Sequence, residues 1–121
     1  FIEVVEGYTQ VFGLAVTFEA RDHETVRADA RHKERRISVK TRTLARIMAD
    51  TGVTAPDLIS LDIEGSEIPV LESFDFAKYS VEFWSIENNT GDLALSEIMR
   101  ANGYRLAEFC GPDELYQRVP E

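Results

Sequence analysis

Cysteine is almost missing from this 121-residue chain: Cys110 stands alone. A disulfide framework and a cysteine zinc site are therefore excluded, and a reducing, cytoplasmic setting is expected. Cys110 lies among apolar residues near the end of a predicted strand and reads as a small buried hydrophobe. Histidine is scarce too. His23 and His32 sit on a polar stretch with no third ligand, so they read as surface residues rather than a metal pair. Basic residues are outnumbered, 13 Lys and Arg against 22 Asp and Glu, giving a net charge of −9. That balance argues against nucleic acid and against an anionic membrane as partners. The basic residues of Arg27 to Lys40 are interspersed with acids and read as a solvated helix face. No apolar run approaches the length of a membrane span, and no charged-then-apolar leader is present. The sequence opens on Phe1 rather than methionine, which suggests a processed or excised piece.

What is present is ordinary globular material, 44% hydrophobic and 29% charged, enough for one domain spanning 1–121. Phe1 to Val5 and Val11 to Phe18 are β-rich and form either one hairpin or two short strands around the Glu6-Gly7 turn signal. Arg21 to Arg36 is polar and reads as an exposed helix or an excursion, so 1–36 is an N-terminal region of strands plus polar excursion. From residue 37 the pattern is regular. Ile37 to Thr41 alternates as a half-buried strand would. Thr43 then caps a helix with Leu44, Ile47 and Met48 on one stripe, ending near Gly52. Leu58 to Ile63 and Val81 to Ile86 read as strong strands, and Leu93 to Ala101 as an amphipathic helix stopped by Asn102-Gly103. Tyr104 to Phe109 and Leu115 to Val119 read as an antiparallel hairpin turned at Gly111-Pro112-Asp113. This order specifies an α/β sheet of mixed direction: parallel in the middle, antiparallel at its C-terminal hairpin, with helices on its faces.

The most informative stretch is Pro56 to Glu67. Leu58 to Ile63 is a short apolar run of the kind buried on both faces of a parallel sheet. A turn, Glu64-Gly65-Ser66-Glu67, follows, and then Ile68, Val70, Leu71 and Phe74 at helical spacing. Ligands of open α/β sheets sit outside the carboxyl ends of the strands. Asp62 and Glu64 lie two apart and share a face on extended backbone. Helix capping accounts for any one acid here; three in six residues point to a site.

The segment Asp57-Leu58-Ile59-Ser60-Leu61-Asp62-Ile63-Glu64-Gly65-Ser66-Glu67, followed by Val70-Leu71, resembles the D-hydrophobic-E-G-x-E…V-L signature of FkbM-type S-adenosylmethionine-dependent methyltransferases. Thr41-Arg42-Thr43-Leu44 is similar to the family's T-x-T-L helix start, Ile86-Glu87-Asn88-Asn89 to its acidic strand end, and Asn102-Gly103-Tyr104 to its x-G-Y helix exit. The resemblance covers about residues 37 to 119, the carboxyl-terminal half of a class I methyltransferase domain, and so implies a partial Rossmann-like methyltransferase sheet. It implies S-adenosylmethionine as cofactor and a small-molecule or sugar-like methyl acceptor. Class I enzymes approach the cofactor with a glycine-rich loop after the first strand. The glycines here are 7, 13, 52, 65, 91, 103 and 111, so no G-x-G occurs, and cofactor-binding residues are not carried over.

The acids define the expected site. Parallel strands ending at Asp62 to Glu64 and at Glu87 to Asn89 would bring their carboxyl ends side by side. Asp62, Glu64 and Glu87 are the expected catalytic groups, with Glu67, Asn88, Asn89 and Trp84 on the acceptor. Trp84 and Phe83 fall on opposite faces of their strand, so at least one is core, and Trp84 is either core or a stacking platform. An oxygen-rich cluster of Asp62, Glu87 and Asn88 would suit Mg²⁺, which would bind an acceptor hydroxyl and lower its pKa, as in the catechol-type O-methyltransferases this arrangement resembles. Without metal, Glu64 or Asp62 would serve as general base or hydrogen-bond a sugar-like acceptor. Three readings stand: an FkbM-like, O-directed methyltransferase seen as its acceptor-side half; a non-catalytic α/β binding or assembly module derived from that family; and a metal- or sugar-binding module of other origin. A half-sheet exposes the edge of its Leu58 to Ile63 strand. The expectation is a homodimer through that edge, or its cover by the N-terminal strands.

Overall fold

The computed structural model describes residues 2–6, 12–14 and 24–120. They fall into two compact units, Phe1–Thr41 and Arg42–Glu121. The sequence reading put the boundary between its two regions after residue 36. The expected strand beyond Leu14, the turn at Gly7 and His23 lie outside the described residues.

In the first unit, β1 (Ile2–Glu6) pairs antiparallel with β2 (Phe12–Gly13) on one side and with β3 (Lys33–Arg36) on the other. A short helix, α1 (Glu24–Ala28), precedes β3. The alternating stretch Ile37 to Thr41 is not a strand. The strand is instead the wholly exposed Lys33-Glu34-Arg35-Arg36. Apolar alternation misleads here because no face is buried: Ile37 and Val39 are exposed. Charges across the ladder match instead. Arg35 Nε donates to Glu3 Oε2 at 2.7 Å and Lys33 Nζ to Glu6 Oε1 at 2.7 Å, and both are register partners. The basic segment is therefore a turn of helix and an edge strand, not one helix face. His32 is half-buried, with Nε2 3.1 Å from Glu34 Oε2.

The second unit is a mixed α/β layer. Its four strands are β4 (Leu58–Leu61), β5 (Phe83–Glu87), β6 (Tyr104–Cys110) and β7 (Asp113–Arg118), in the order β4-β5-β7-β6. β4 and β5 are parallel, and β5–β7 and β7–β6 are antiparallel. The helices are α2 (Leu44–Thr51), α3 (Glu67–Glu72) and α4 (Leu93–Ala101). The caps are those the sequence predicts. Thr43 Oγ1 accepts from Arg46 N at 3.2 Å, and Gly52 closes α2 in the left-handed region at φ 71°. Asp92 Oδ1 accepts from Ala94 N at 2.9 Å to open α4. Pro69 is tolerated in α3 because it lies in the first turn, where an N–H has no helical partner.

Register sorts the sheet into two unlike faces. Ile59, Leu61, Trp84, Ile86 and Tyr116 share one face and pack with Met48 of α2, Leu71 of α3, and Leu95 and Met99 of α4. Leu58 and Phe83 share the other and are exposed, at 58% and 42%. Among the described residues the helices pack on the first of these faces, and β4 is not buried on both sides. Phe74, Phe76, Trp84 and Tyr104 interlock edge to face, with Phe74–Trp84 centroids 5.2 Å apart. Tyr104 Oη donates to Val81 O at 2.7 Å inside the core. Cys110 is exposed because β6 is the outer strand and buries little beyond Tyr104. The opposite edge, β4, has no strand beside it among the described residues.

Leu71 is 1% exposed and Leu93 75% exposed. Leu71→Ala is expected to cost about 3 kcal/mol in urea denaturation, while Leu93→Ala stays within about 0.5 kcal/mol. Tyr104→Phe, which strands the Val81 carbonyl, should cost about 1–2 kcal/mol by the same measurement.

Candidate functional site

The site forms where β4 and β5 end. Their parallel register runs through Leu61 beside Ile86, so the next residues, Asp62 and Glu87, leave the sheet as neighbours on adjacent strands. The chain then turns sharply from β4 into α3. Glu64 and Gly65 both take positive φ, 58° and 100°. Glycine adopts this freely, but for glutamate it is a strained conformation, costing on the order of 1 kcal/mol.

Glu67 holds that turn. It is the first residue of α3, 7% exposed, and its Oε1 accepts from Ile63 N at 2.9 Å and from Gly65 N at 3.2 Å. These amides have left the sheet ladder, and the bonds that Glu67 gives them are part-buried, each worth about 1 kcal/mol. The same carboxylate belongs to the cluster: ligand oxygens of Asp62, Glu67 and Glu87 all lie within 4.8 Å of one another.

Crowding shows in the acid–base balance. The Glu87 carboxyl is pushed above its ordinary value, first by burial and then by the charges of Asp62 and Glu64 and a hydrogen bond shared with Asp62; a hydrogen bond from the Asn89 side chain works in the opposite direction. A proton between Glu87 and Asp62 relieves the repulsion of like charges.

The structure therefore brings together Asp62, Glu64, Glu67, Glu87 and Asn89, and leaves two expected residues elsewhere. Asn88 turns away from the cluster. Its Nδ2 donates to Glu114 Oε1 at 2.7 Å and to Asp92 O at 3.1 Å, while its Oδ1 accepts from Asp92 N at 2.9 Å. Adjacent residues at a strand end face opposite sides, so Glu87 and Asn88 do not converge on one ion, and Glu67 takes the third corner expected of Asn88. Trp84 is 0% exposed within the aromatic core and presents no face to an acceptor. Sequence reasoning missed Glu114 and Asp113. Asp113 Oδ2 accepts from Ser85 Oγ at 3.1 Å beside the end of β5. The signal was an acidic pair at the start of a hairpin strand, but its register against β5 is not written locally.

Chemically, three carboxylate oxygens this close could hold one hard cation, since Mg²⁺ and Ca²⁺ favour such ligands. Without a cation the cluster is a proton acceptor aimed past the strand ends.

The cluster generates two expectations. Glu67→Ala removes the acceptor of two turn amides and should cost about 1–3 kcal/mol in urea denaturation, with Glu67→Gln, which keeps an acceptor, costing clearly less. A carboxyl raised in the folded state stabilises while protonated and loses that contribution as pH climbs above its ordinary value of 4.5. Glu87→Gln should therefore raise the melting temperature at neutral pH, with the difference closing below pH 4.5; calorimetric scans across pH check this.

The strand–turn–helix with its acids belongs to a recognisable whole. Residues 2–106 match the family model described as the Methyltransferase FkbM domain. No curated protein and no solved structure matches the chain. With a match over most of its length, and the carboxylates of the D-I-E-G-S-E turn gathered at the ends of two parallel strands, this chain belongs to the FkbM methyltransferase family.

Proposed function

We propose that this chain is the acceptor side of an S-adenosylmethionine-dependent methyltransferase acting on a hydroxyl of a small, sugar-like molecule. The observation that carries the reading is the raised Glu87 carboxyl, hydrogen-bonded to Asp62 from the neighbouring parallel strand. A carboxylate whose proton affinity is lifted toward neutrality is a better general base than a free surface acid. In this role Glu87 takes the acceptor's hydroxyl proton, Asp62 steadies the protonated form, and Asn89 orients the Glu87 carboxyl. Glu64 adds negative charge at the mouth, and its strained backbone is consistent with a placement kept for function.

S-adenosylmethionine supplies the electrophilic methyl group. No G-x-G occurs in the sequence, so no residue here is assigned to a glycine-rich cofactor loop. Mg²⁺ among Asp62, Glu67 and Glu87 is the metal-assisted form of the same proposal, in which the ion lowers the acceptor's pKa. Closure of the β4 edge by a strand of different sequence is a further part of it. The missing loop also favours a second reading, a non-catalytic module derived from the family that binds or assembles.

Calorimetric titration of the full chain with S-adenosylmethionine and S-adenosylhomocysteine, with and without Mg²⁺, separates the two. The proposal expects micromolar binding and radiolabelled methyl transfer to a hydroxyl in an acceptor panel, with Glu87→Gln slowing transfer by about 10²-fold or more. A folded chain that binds neither compound would leave the non-catalytic reading standing.

A further inference from the structure

Behind the carboxylate cluster runs a second polar chain that none of the acceptor chemistry uses. Tyr116, 2% exposed, donates its hydroxyl to Glu114 Oε2. Glu114 Oε1 accepts from Asn88 Nδ2 at 2.7 Å. Asn88 then grips its own loop: Oδ1 accepts from Asp92 N at 2.9 Å, Nδ2 reaches Asp92 O at 3.1 Å, and its backbone N donates to Pro112 O at 3.0 Å. Asp92 in turn caps α4 through Ala94 N. The phenol of Tyr116 is pushed well above its ordinary value by burial and by Glu114, so it stays a donor across the working pH range.

Asn88 is flanked by Glu87 and Asn89, whose side chains meet on the other side of the strand end. Fixing the middle residue of the three fixes the backbone from which its two neighbours project, at the point where β5 ends and the turn at Asn89 begins. Glu114 is half-buried on β7, where Ile86 is its register partner, one residue before Glu87. A half-buried carboxylate with two donors is a firm anchor, since charge-assisted hydrogen bonds are shorter and stronger than neutral ones.

We infer that Glu114, acting through Asn88, is a positioning residue that aims Glu87 and Asn89 at the acceptor. It touches neither acceptor nor cofactor. The inference rests on the acceptor-side reading of Glu87 and Asn89 for its purpose, but not for its geometry. Gln is the conservative replacement: its carbonyl can accept from Asn88 and its amide can donate to the Tyr116 oxygen. Leu breaks both links.

The test is nuclear magnetic resonance on the full ¹⁵N-labelled chain. In Glu114→Leu the Asn89 side-chain NH₂ signals should leave their native positions, and the Asp92 amide should exchange with solvent at least tenfold faster relative to the core amide of Leu95. Glu114→Gln should restore both. A merely structural Glu114 would lower the melting temperature of the Leu variant and leave the Asn89 signals and the Asp92-to-Leu95 ratio unchanged, which overturns the inference; so does a Gln variant that behaves like Leu. Should Glu114→Leu fail to fold, Asn88→Ala decides from the other end of the link, where unmoved Asn89 signals again overturn it. The readout needs no methyl transfer. Displaced Asn89 signals in a chain that binds no S-adenosylmethionine leave the positioning role intact and remove the methyltransferase reading; the reverse pattern does the opposite.

Discussion

The carboxylate of Glu67 is the interaction on which the site depends. Two backbone amides that the β4–α3 turn withdraws from the sheet are returned to a partner by this one side chain. Without it the turn would have to relax, and the left-handed Glu64 and Gly65 would lose their reason to stay where they are. The Asp62 side chain would then no longer leave β4 beside the end of β5. The bond also takes up much of Glu67's own acceptor capacity, so the residue closest to the backbone serves the cluster mainly by shaping it.

How the cluster is sorted follows from alternation. Glu87 and Asn89 go to one side of the strand end and Asn88 to the other, where β7 and the start of α4 receive it. The two sides are chemically different. One is a crowded group of acids whose like charges help push the Glu87 carboxyl above its ordinary value; the other is a hydrogen-bond network around a single half-buried carboxylate. A crowded acidic face is thus backed by a hydrogen-bonded one, and the strand between them is anchored by Ile86 and Trp84 in the core.

Much of this was legible in the sequence because local rules agreed with the fold. The Thr43 and Gly52 caps of α2, the limits of α4 and the hairpin at Gly111-Pro112 needed no tertiary information. The convergence of Asp62 and Glu87 was legible too, since a strand–turn–helix followed by a strand forces a parallel pair. The misreadings each have a physical cause. Ile37 to Thr41 alternates, but no layer covers it, whereas Lys33 to Arg36 pairs through opposite charges that a hydrophobic pattern does not register. Asn88 was grouped with Glu87 by proximity in sequence, although a period of two sets them apart. Glu114 lies 26 residues from the asparagine it binds, and nothing short of the β5–β7 register announces that contact.

The edge of β4, which has no strand beside it among the described residues, has a consequence for any meeting of two copies of this chain. Its four residues, Leu-Ile-Ser-Leu, are flanked by Asp57 on one side and Asp62 on the other. Two such edges related by a two-fold axis must run antiparallel, and the register that pairs all four residues sets Asp57 of each copy against Asp62 of the other. Like charges directly opposite are destabilising. The second unit adds to this background, with 15 acidic against 6 basic residues from Arg42 to Glu121. At neutral pH the edge therefore carries its own electrostatic guard: it resists self-stacking and admits most readily a strand flanked by lysine or arginine.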